Sequence, residues 1–273
     1  MSTATHRPVS VEELQRAFQA VKAGTFRRDT SSHSLVGARR DSASTWESDQ
    51  PVVPVISCSG GAGATTTALA IATAAETSRV TECCSVTSSG LSAAPTAELG
   101  QTPDGWSRGT RGSVLVERAS EVFTSPDQVT LPAEPPAGCE LTVLDVAWDL
   151  SVVLSSPSWL SDQILSAPAV VVVSRATVPA MRRLEGALTL LEDGPTVIAA
   201  VIGPRWKKWP RVLQASMGAL TRRLDADGLL VDLPHDADLA LNGLTGRAIP
   251  TPLISAASHL LRLTGAGNTT TKG

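Results

Sequence analysis

The chain has 273 residues, 42% of them hydrophobic and 18% charged, with a formal net charge of −3. That is enough apolar material for a substantial core and too little net charge for a global preference for nucleic acid or membrane, so binding of either kind needs a local patch. The four cysteines, Cys58, Cys83, Cys84 and Cys139, form no C-x-x-C pair, which argues against a disulfide framework or a cysteine-based metal site.

Residues Met1 to Pro8 carry no apolar core of a secretory signal, and the most apolar run, Ala169 to Val173, falls far short of the ~20 residues of a membrane span. A cytoplasmic protein without a membrane span is the expectation, and high Ala with Arg favoured over Lys suggests a bacterial source by composition alone. Over residues 9–23, Ser10 with Glu13 three places on forms a capping box, and Val11, Leu14, Phe18 and Val21 recur at helical spacing. This predicts a short amphipathic helix that packs on its own domain or docks a protein partner. Residues 24–50 are rich in Ser, Thr, Arg and Asp, so residues 1–50 read as an N-terminal extension ending in a flexible linker.

The apolar run Val52 to Ile56 is followed by Ser57-Cys58-Ser59-Gly60-Gly61-Ala62-Gly63-Ala64-Thr65-Thr66-Thr67 and an Ala-rich stretch from Ala68 to Glu76. Strand, glycine loop and helix start in that order bring backbone N–H groups and the positive end of a helix dipole to one point, which is the shape of a phosphate cradle. Gly60, Gly61, Ala62, Gly63, Ala64, Thr65 and Thr66 are its candidate residues. A phosphate loop also calls for a lysine to neutralise the β- and γ-phosphates, and that position holds Ala64.

Further along, Val80 to Val86 predicts a weak strand and Ser113 to Arg118 a short one, while the Ser-, Gly-, Pro- and Thr-rich run from Thr87 to Thr110 predicts none. Four prolines between Thr124 and Gly138 make that stretch a surface connection. Leu141 to Leu144 is an apolar strand ending in Asp145, which an open parallel sheet would aim at the crevice holding the glycine loop. Ala169 to Val173 reads as a buried strand, followed by a helix capped by Thr177 with Pro179 in its first turn. Thr196 to Ile202 is another strand, Pro210 to Asp225 a helix, Leu229 to Leu233 a last strand and Ser255 to Leu263 a final helix. The alternation predicts an α/β fold with a doubly wound, mostly parallel sheet over residues 51–264, then a disordered polar tail over 265–273.

The order of glycine loop, strand ending in Asp, and two strand–helix pairs resembles the ParA/MinD group of P-loop ATPases, over roughly Pro51 to Thr264. That group's loop reads K-G-G-x-G-K-[ST]-[ST]; the aligned residues here are Ser59-Gly60-Gly61-Ala62-Gly63-Ala64-Thr65-Thr66. The resemblance implies a P-loop NTPase fold, ATP and Mg²⁺ as cofactors, Thr65 and Asp145 on the metal side, and a homodimer around nucleotide. It also marks departures. The lysine that reaches across the dimer falls on Ser59, and the lysine of the same subunit falls on Ala64. The Asp that orients the attacking water has no counterpart in Thr87-Ser88-Ser89, and the adenine-contacting Asn falls on Gly203. Arg175, just after the apolar strand, is the candidate substitute cation.

A second unusual stretch places Arg205, Lys207, Lys208 and Arg211 beside Trp206 and Trp209. Cations interleaved with indoles suit phosphates and stacked bases, or a protein partner, and the group resembled uses basic patches for nonspecific DNA binding. His235 and Asp236 look like a catalytic pair, but no nucleophile-elbow serine accompanies them, and loop chemistry is the better reading. Three functions follow: a non-hydrolysing regulator or partner protein in partitioning, positioning, secretion or conjugation; a slow ATPase that dimerises; or a DNA-binding accessory protein acting through residues 205–211.

Overall fold

The computed structural model describes residues 46–84, 88 and 90–268; the helix expected over 9–23 lies outside them. Among the described residues the strands are β1 (Val52–Ser57), β2 (Ser78–Glu82), β3 (Ala97–Gln101), β4 (Trp106–Arg111), β5 (Val114–Ala119), β6 (Leu141–Val146), β7 (Ala169–Arg175), β8 (Thr196–Gly203) and β9 (Leu230–Pro234). They form one sheet in the order β3-β4-β5-β2-β6-β1-β7-β8-β9. From β5 through β2, β6, β1, β7 and β8 to β9 every pairing is parallel; β3 and β4 add an antiparallel ribbon at one edge.

The helices are α1 (Ala64–Ala74), α2 (Leu150–Ser155), α3 (Trp159–Ser166), α4 (Val178–Leu190), α5 (Arg211–Ala215), α6 (Ala219–Ala226), α7 (Ala237–Asn242) and α8 (Thr251–Leu263). Helices α1 and α8 cover one face, packing on Val55, Val143, Val171 and Ile198, whereas α2 to α5 cover the other over Ile56, Leu144, Val172 and Ala199. Helix on both faces explains why β7 is an unbroken run of valines: successive side chains point to opposite faces, and both faces are dry. The doubly wound, mostly parallel architecture is the one predicted from the alternation of elements.

Three local expectations need correction. The run from Thr87 to Thr110 contains β3 and all but the last residue of β4; β3 is exposed along its whole length, so no apolar alternation announces it. The helix expected over 210–225 is two, α5 and α6, because Glu185 of α4 occupies the space beside Gly218. Its carboxylate accepts from the backbone N–H groups of Leu220 (2.8 Å) and Thr221 (3.0 Å) and so starts α6 afresh. The last helix begins at Thr251, with proline in its first turn. In addition, α2 and α3 are short helices set by their caps, Asp149 and Ser158, rather than by periodicity.

The proline-rich connection is tied down by three long-range bonds. The indole N–H groups of Trp106 and Trp159 donate to the carbonyls of Leu131 (3.1 Å) and Val129 (2.7 Å), and Arg79 Nη1 donates to Ala133 O (2.6 Å). Arg79 is fully buried under the ring of Trp46, with its guanidinium carbon 5.9 Å from the ring centroid, and it pairs with fully buried Glu117 at 3.2 Å. Trp46 itself stacks edge-on against Trp159 at 5.5 Å. No helix of the described residues is long and apolar enough to cross a membrane.

Candidate functional site

The glycine loop leaves β1 at the centre of the sheet and enters α1. Its shape depends on two glycines in the left-handed region, Gly61 (φ 70°) and Gly63 (φ 101°), the latter serving as the N-cap of α1. At Gly63 that φ strains any side chain, and a β-carbon there would also have to push aside the Cδ1 of Ile202. Ala62 N–H donates to Ser59 O at 3.1 Å to close the turn, and Cys58 N–H donates to Val173 O at 2.9 Å to anchor it on β7. The first N–H groups of α1 have no intrahelical acceptor and point out of the helix end, as an anion site needs. Ala64 is 5% exposed and packs in the core beneath the loop.

Asp145 sits near the C-terminal end of β6, in register with Val55 of β1 on one side and Glu82 of β2 on the other. It is fully buried, and among the described residues its carboxylate has no well-formed hydrogen bond, the Thr65 hydroxyl acting on it only loosely. Burial lifts its pKa to about 7, against the Thr65 hydroxyl, which faces it and acts downward; the charge of Glu82 adds to the rise. Thr65 and Asp145, expected from the sequence to share a metal side, are therefore neighbours. A buried carboxylate with no well-formed hydrogen bond, beside a helix-start hydroxyl, suits a magnesium ion of the kind a P-loop uses.

Glu82 had no sequence signal. It is 2% exposed, and its Oε1 accepts from the N–H groups of Gly90 (3.1 Å) and Leu91 (3.2 Å). This draws Gly90 against Thr65, so closely that a β-carbon on Gly90 would lie 2.9 Å from Thr65 Cγ2.

Above the loop lies a cavity of about 590 Å³, lined by residues 57–67, the start of the connection after β6, Arg175, and the segment from Pro234 to Leu244. Every candidate cradle residue from Gly60 to Thr66 lines it. Arg175 lies on its wall and is exposed, and among the described residues it is the one Lys or Arg that lines the cavity. Trp148, another residue the sequence did not single out for the cavity, also lines it, and its buried indole N–H has no partner among the described residues. Asp149 and Asp236 line the cavity too, but each is engaged as a helix cap, of α2 and α7 respectively. Cys58 stays a thiol, because burial pushes it up to about 12.

The remaining departures have physical sequels. Ser88 lines the cavity and is exposed, with no carboxylate to offer. Gly203 is packed shut: a β-carbon there would meet Ala176 Cβ at 2.5 Å, so no longer side chain fits without displacing Ala176. Residues 205–211 lie away from the cavity lining. Arg205, Lys207, Lys208 and Arg211 are exposed. Trp209 is 4% exposed, its N–H donates to Pro204 O at 2.7 Å, and Trp206 packs edge-on against it at 4.7 Å. Trp209 is thus a core residue rather than a stacking platform, because its ring fills the space over Leu213 and its one polar atom is satisfied.

The far wall of the cavity is held from a distance. Arg111, at the end of β4 and 8% exposed, donates to the carbonyls of Ala94 (2.7 Å), Thr245 (2.7 Å) and Arg247, gripping the loop that follows α7.

No family model and no curated protein matches the chain. Solved structures do. The septum site-determining protein MinD complexed with Mg-ADP from Pyrococcus horikoshii is 14% identical, with a TM-score of 0.51 over 81% of this chain and 100% of that one. A chain of the MinC:MinD cell division protein complex of Aquifex aeolicus is 15% identical, with a TM-score of 0.49 over 79% and 96% of the two chains. The ParA family ATPase of Chlorobium tepidum is 10% identical, with a TM-score of 0.47 over 77% and 96%. The first of these carries the comparison, and at its identity it speaks for architecture alone: the chain has the P-loop NTPase fold of MinD.

Proposed function

We propose that this is a ParA/MinD-like P-loop protein with a weakened nucleotide site: a non-hydrolysing regulator or partner protein, in bacterial partitioning, positioning, secretion or conjugation. The observation that carries this reading is the intact glycine frame over Thr65 and Asp145 with small, buried Ala64 where a lysine belongs. Loss of preorganised positive charge from a phosphoryl-transfer site costs about 10³-fold or more in rate. Ground-state binding suffers less, since the loop amides and the helix dipole persist, the latter worth about 0.3–2 kcal/mol. The reading therefore separates binding of ATP and Mg²⁺ from turnover.

Calorimetry with ATP and MgCl₂ is expected to show weak binding that disappears in Thr65→Ala and Asp145→Ala, with no turnover above background. Ala64→Lys is expected to tighten binding roughly 10- to 100-fold, the worth of a charge-assisted contact. Brisk hydrolysis by the natural chain would sink the proposal; if that turnover vanished in Arg175→Ala, the slow, dimerising ATPase with a substitute arginine would be the better account.

One observation favours a second reading, in which the protein binds DNA as an accessory factor. Residues 175–223 hold nine of the chain's 23 Lys and Arg residues but three of its 26 Asp and Glu residues. Double-stranded DNA should be retarded at low salt and released as salt rises, and Lys207→Ala/Lys208→Ala should weaken the shift. No shift at low salt ends this reading.

A further inference from the structure

Strands β6, β1 and β7 are neighbours and run parallel, so the segments that leave their carboxyl ends flank one another. The glycine loop follows β1. Arg175 ends β7 on one side of it, and the connection Ala147-Trp148-Asp149 follows β6 on the other. All three segments line the cavity. The loop is thus bracketed by a cation and by an indole, and the two differ in what they lack. Arg175 is exposed and solvated with or without a ligand. Trp148 is half-buried, and its N–H is shut away from water with no acceptor among the described residues. Three other indoles of the chain show what such a group ordinarily finds: those of Trp106, Trp159 and Trp209 each donate to a backbone carbonyl, at 3.1, 2.7 and 2.7 Å. A buried donor left without an acceptor is destabilising, and it calls for an explanation.

We propose that the Trp148 indole N–H is a ligand-binding donor, completed by a phosphate oxygen of the nucleotide that the glycine loop holds. The inference rests on the nucleotide reading of the site and adds a contact to it. An indole N–H can only donate, so whatever completes it must bring an acceptor; a cation or a second donor does not serve. The two carboxylates that line the cavity, Asp149 and Asp236, are engaged as helix caps. Trp148 lies three residues beyond Asp145 and next to the strand that carries the loop, which places it at the phosphate end of a nucleotide whose phosphates sit on the loop amides. Ala147 is half-buried and Asp149 exposed, so the ring borders open space, and a turn of its edge brings the N–H to the cavity. A neutral donor supplements the loop amides without supplying the charge of the missing lysines. It adds a few-fold in affinity, less than a charge-assisted contact, and does little for the charge that builds during phosphoryl transfer.

The test uses the full chain with nitrogen-15 in its indoles. Its six tryptophans give six indole N–H cross-peaks by nuclear magnetic resonance, and the one missing from Trp148→Phe belongs to Trp148. ATP·Mg²⁺ and, separately, tripolyphosphate with Mg²⁺ are then titrated into the natural chain. The Trp148 peak is expected to move downfield with both, as its proton gains an acceptor, a change that a merely structural tryptophan does not give. Calorimetry is expected to show ATP·Mg²⁺ bound about three- to tenfold more weakly by Trp148→Phe, the worth of one neutral hydrogen bond. Circular dichroism checks that the variant is folded; if it is not, Trp148→Tyr assigns the peak and the shift in the natural chain decides the matter. A peak that stays put while ATP·Mg²⁺ binds, or equal affinity in Trp148→Phe, overturns the inference and leaves the nucleotide reading standing. A shift with ATP but not with tripolyphosphate overturns the assignment to a phosphate oxygen. Absence of any binding by the natural chain up to about 10 mM overturns both.

Discussion

Replacing Glu117 with Ala lowers the free energy of unfolding by about 3–5 kcal/mol. The reason is what the change leaves behind. Glu117 Oε2 accepts from Arg79 Nη1 (3.2 Å) and the Thr81 hydroxyl (3.0 Å), while Oε1 takes both Nε (2.9 Å) and Nη2 (2.7 Å) of Arg108. Arg79 has no exposure at all, and among the described residues its Nη2 already lacks a partner. Without Glu117 its charge would rest on Ala133 O and Thr142 Oγ1. Arg108 is a different case: its side chain is 26% exposed, so Arg108→Ala removes a pair that water already screens and costs at most about 1 kcal/mol. A double replacement of Arg79 and Glu117 by Met should recover most of the loss, since it deletes the uncompensated charge together with its partner. Urea unfolding midpoints at constant slope give all three numbers. A Glu117→Ala cost no greater than that of Arg108→Ala would mean the pair carries little.

The second large effect is on pH dependence. Asp145 has an ordinary value of 3.8 and is raised to about 7, first by burial and then by Glu82. A carboxyl raised on folding binds its proton more tightly in the native state. Its contribution to stability is therefore fully present below pH ~4, is lost as pH rises towards ~7, and is gone above that. Asp145→Asn keeps the shape and removes the charge. In EDTA the variant should unfold with no such decline and should exceed the natural chain at pH 8 by about 2–4 kcal/mol, because each tenfold difference in proton affinity between the folded and unfolded chain is worth about 1.4 kcal/mol. Thermal or urea unfolding of both chains from pH 4 to pH 8 measures it. Parallel curves would show that water or a neighbour relieves the carboxylate in a way its lack of a well-formed hydrogen bond does not suggest.

Much of the sheet could be read from the chain because buried parallel strands are written as plain apolar runs. Val52 to Ile56, Leu141 to Leu144 and Ala169 to Val173 are legible for that reason, and Thr177 with Pro179 marks the start of α4 in the same local way. Features that depend on a distant side chain were not legible. The break between α5 and α6 follows from Glu185 reaching across to Gly218, which no window around residue 218 contains. β3 escapes because an exposed edge strand has no face to alternate. At the site, the cradle and Asp145 are sequence-local signals, while Glu82 acquires meaning only when β2 is laid beside β6 in register. Trp209 is the reverse: its neighbours in sequence are cations, but its neighbours in space are apolar.

Arg111 gives the antiparallel ribbon a stake in the cavity. β3 and β4 lie at the margin of the sheet, and β3 is exposed throughout, so this is where partial opening demands the least free energy. When the ribbon lifts, the guanidinium leaves Thr245 and Arg247, and the loop behind α7 loses its grip. Linkage runs both ways: whatever orders that loop from inside the cavity also fastens the sheet's outermost strands, some distance from any atom it touches.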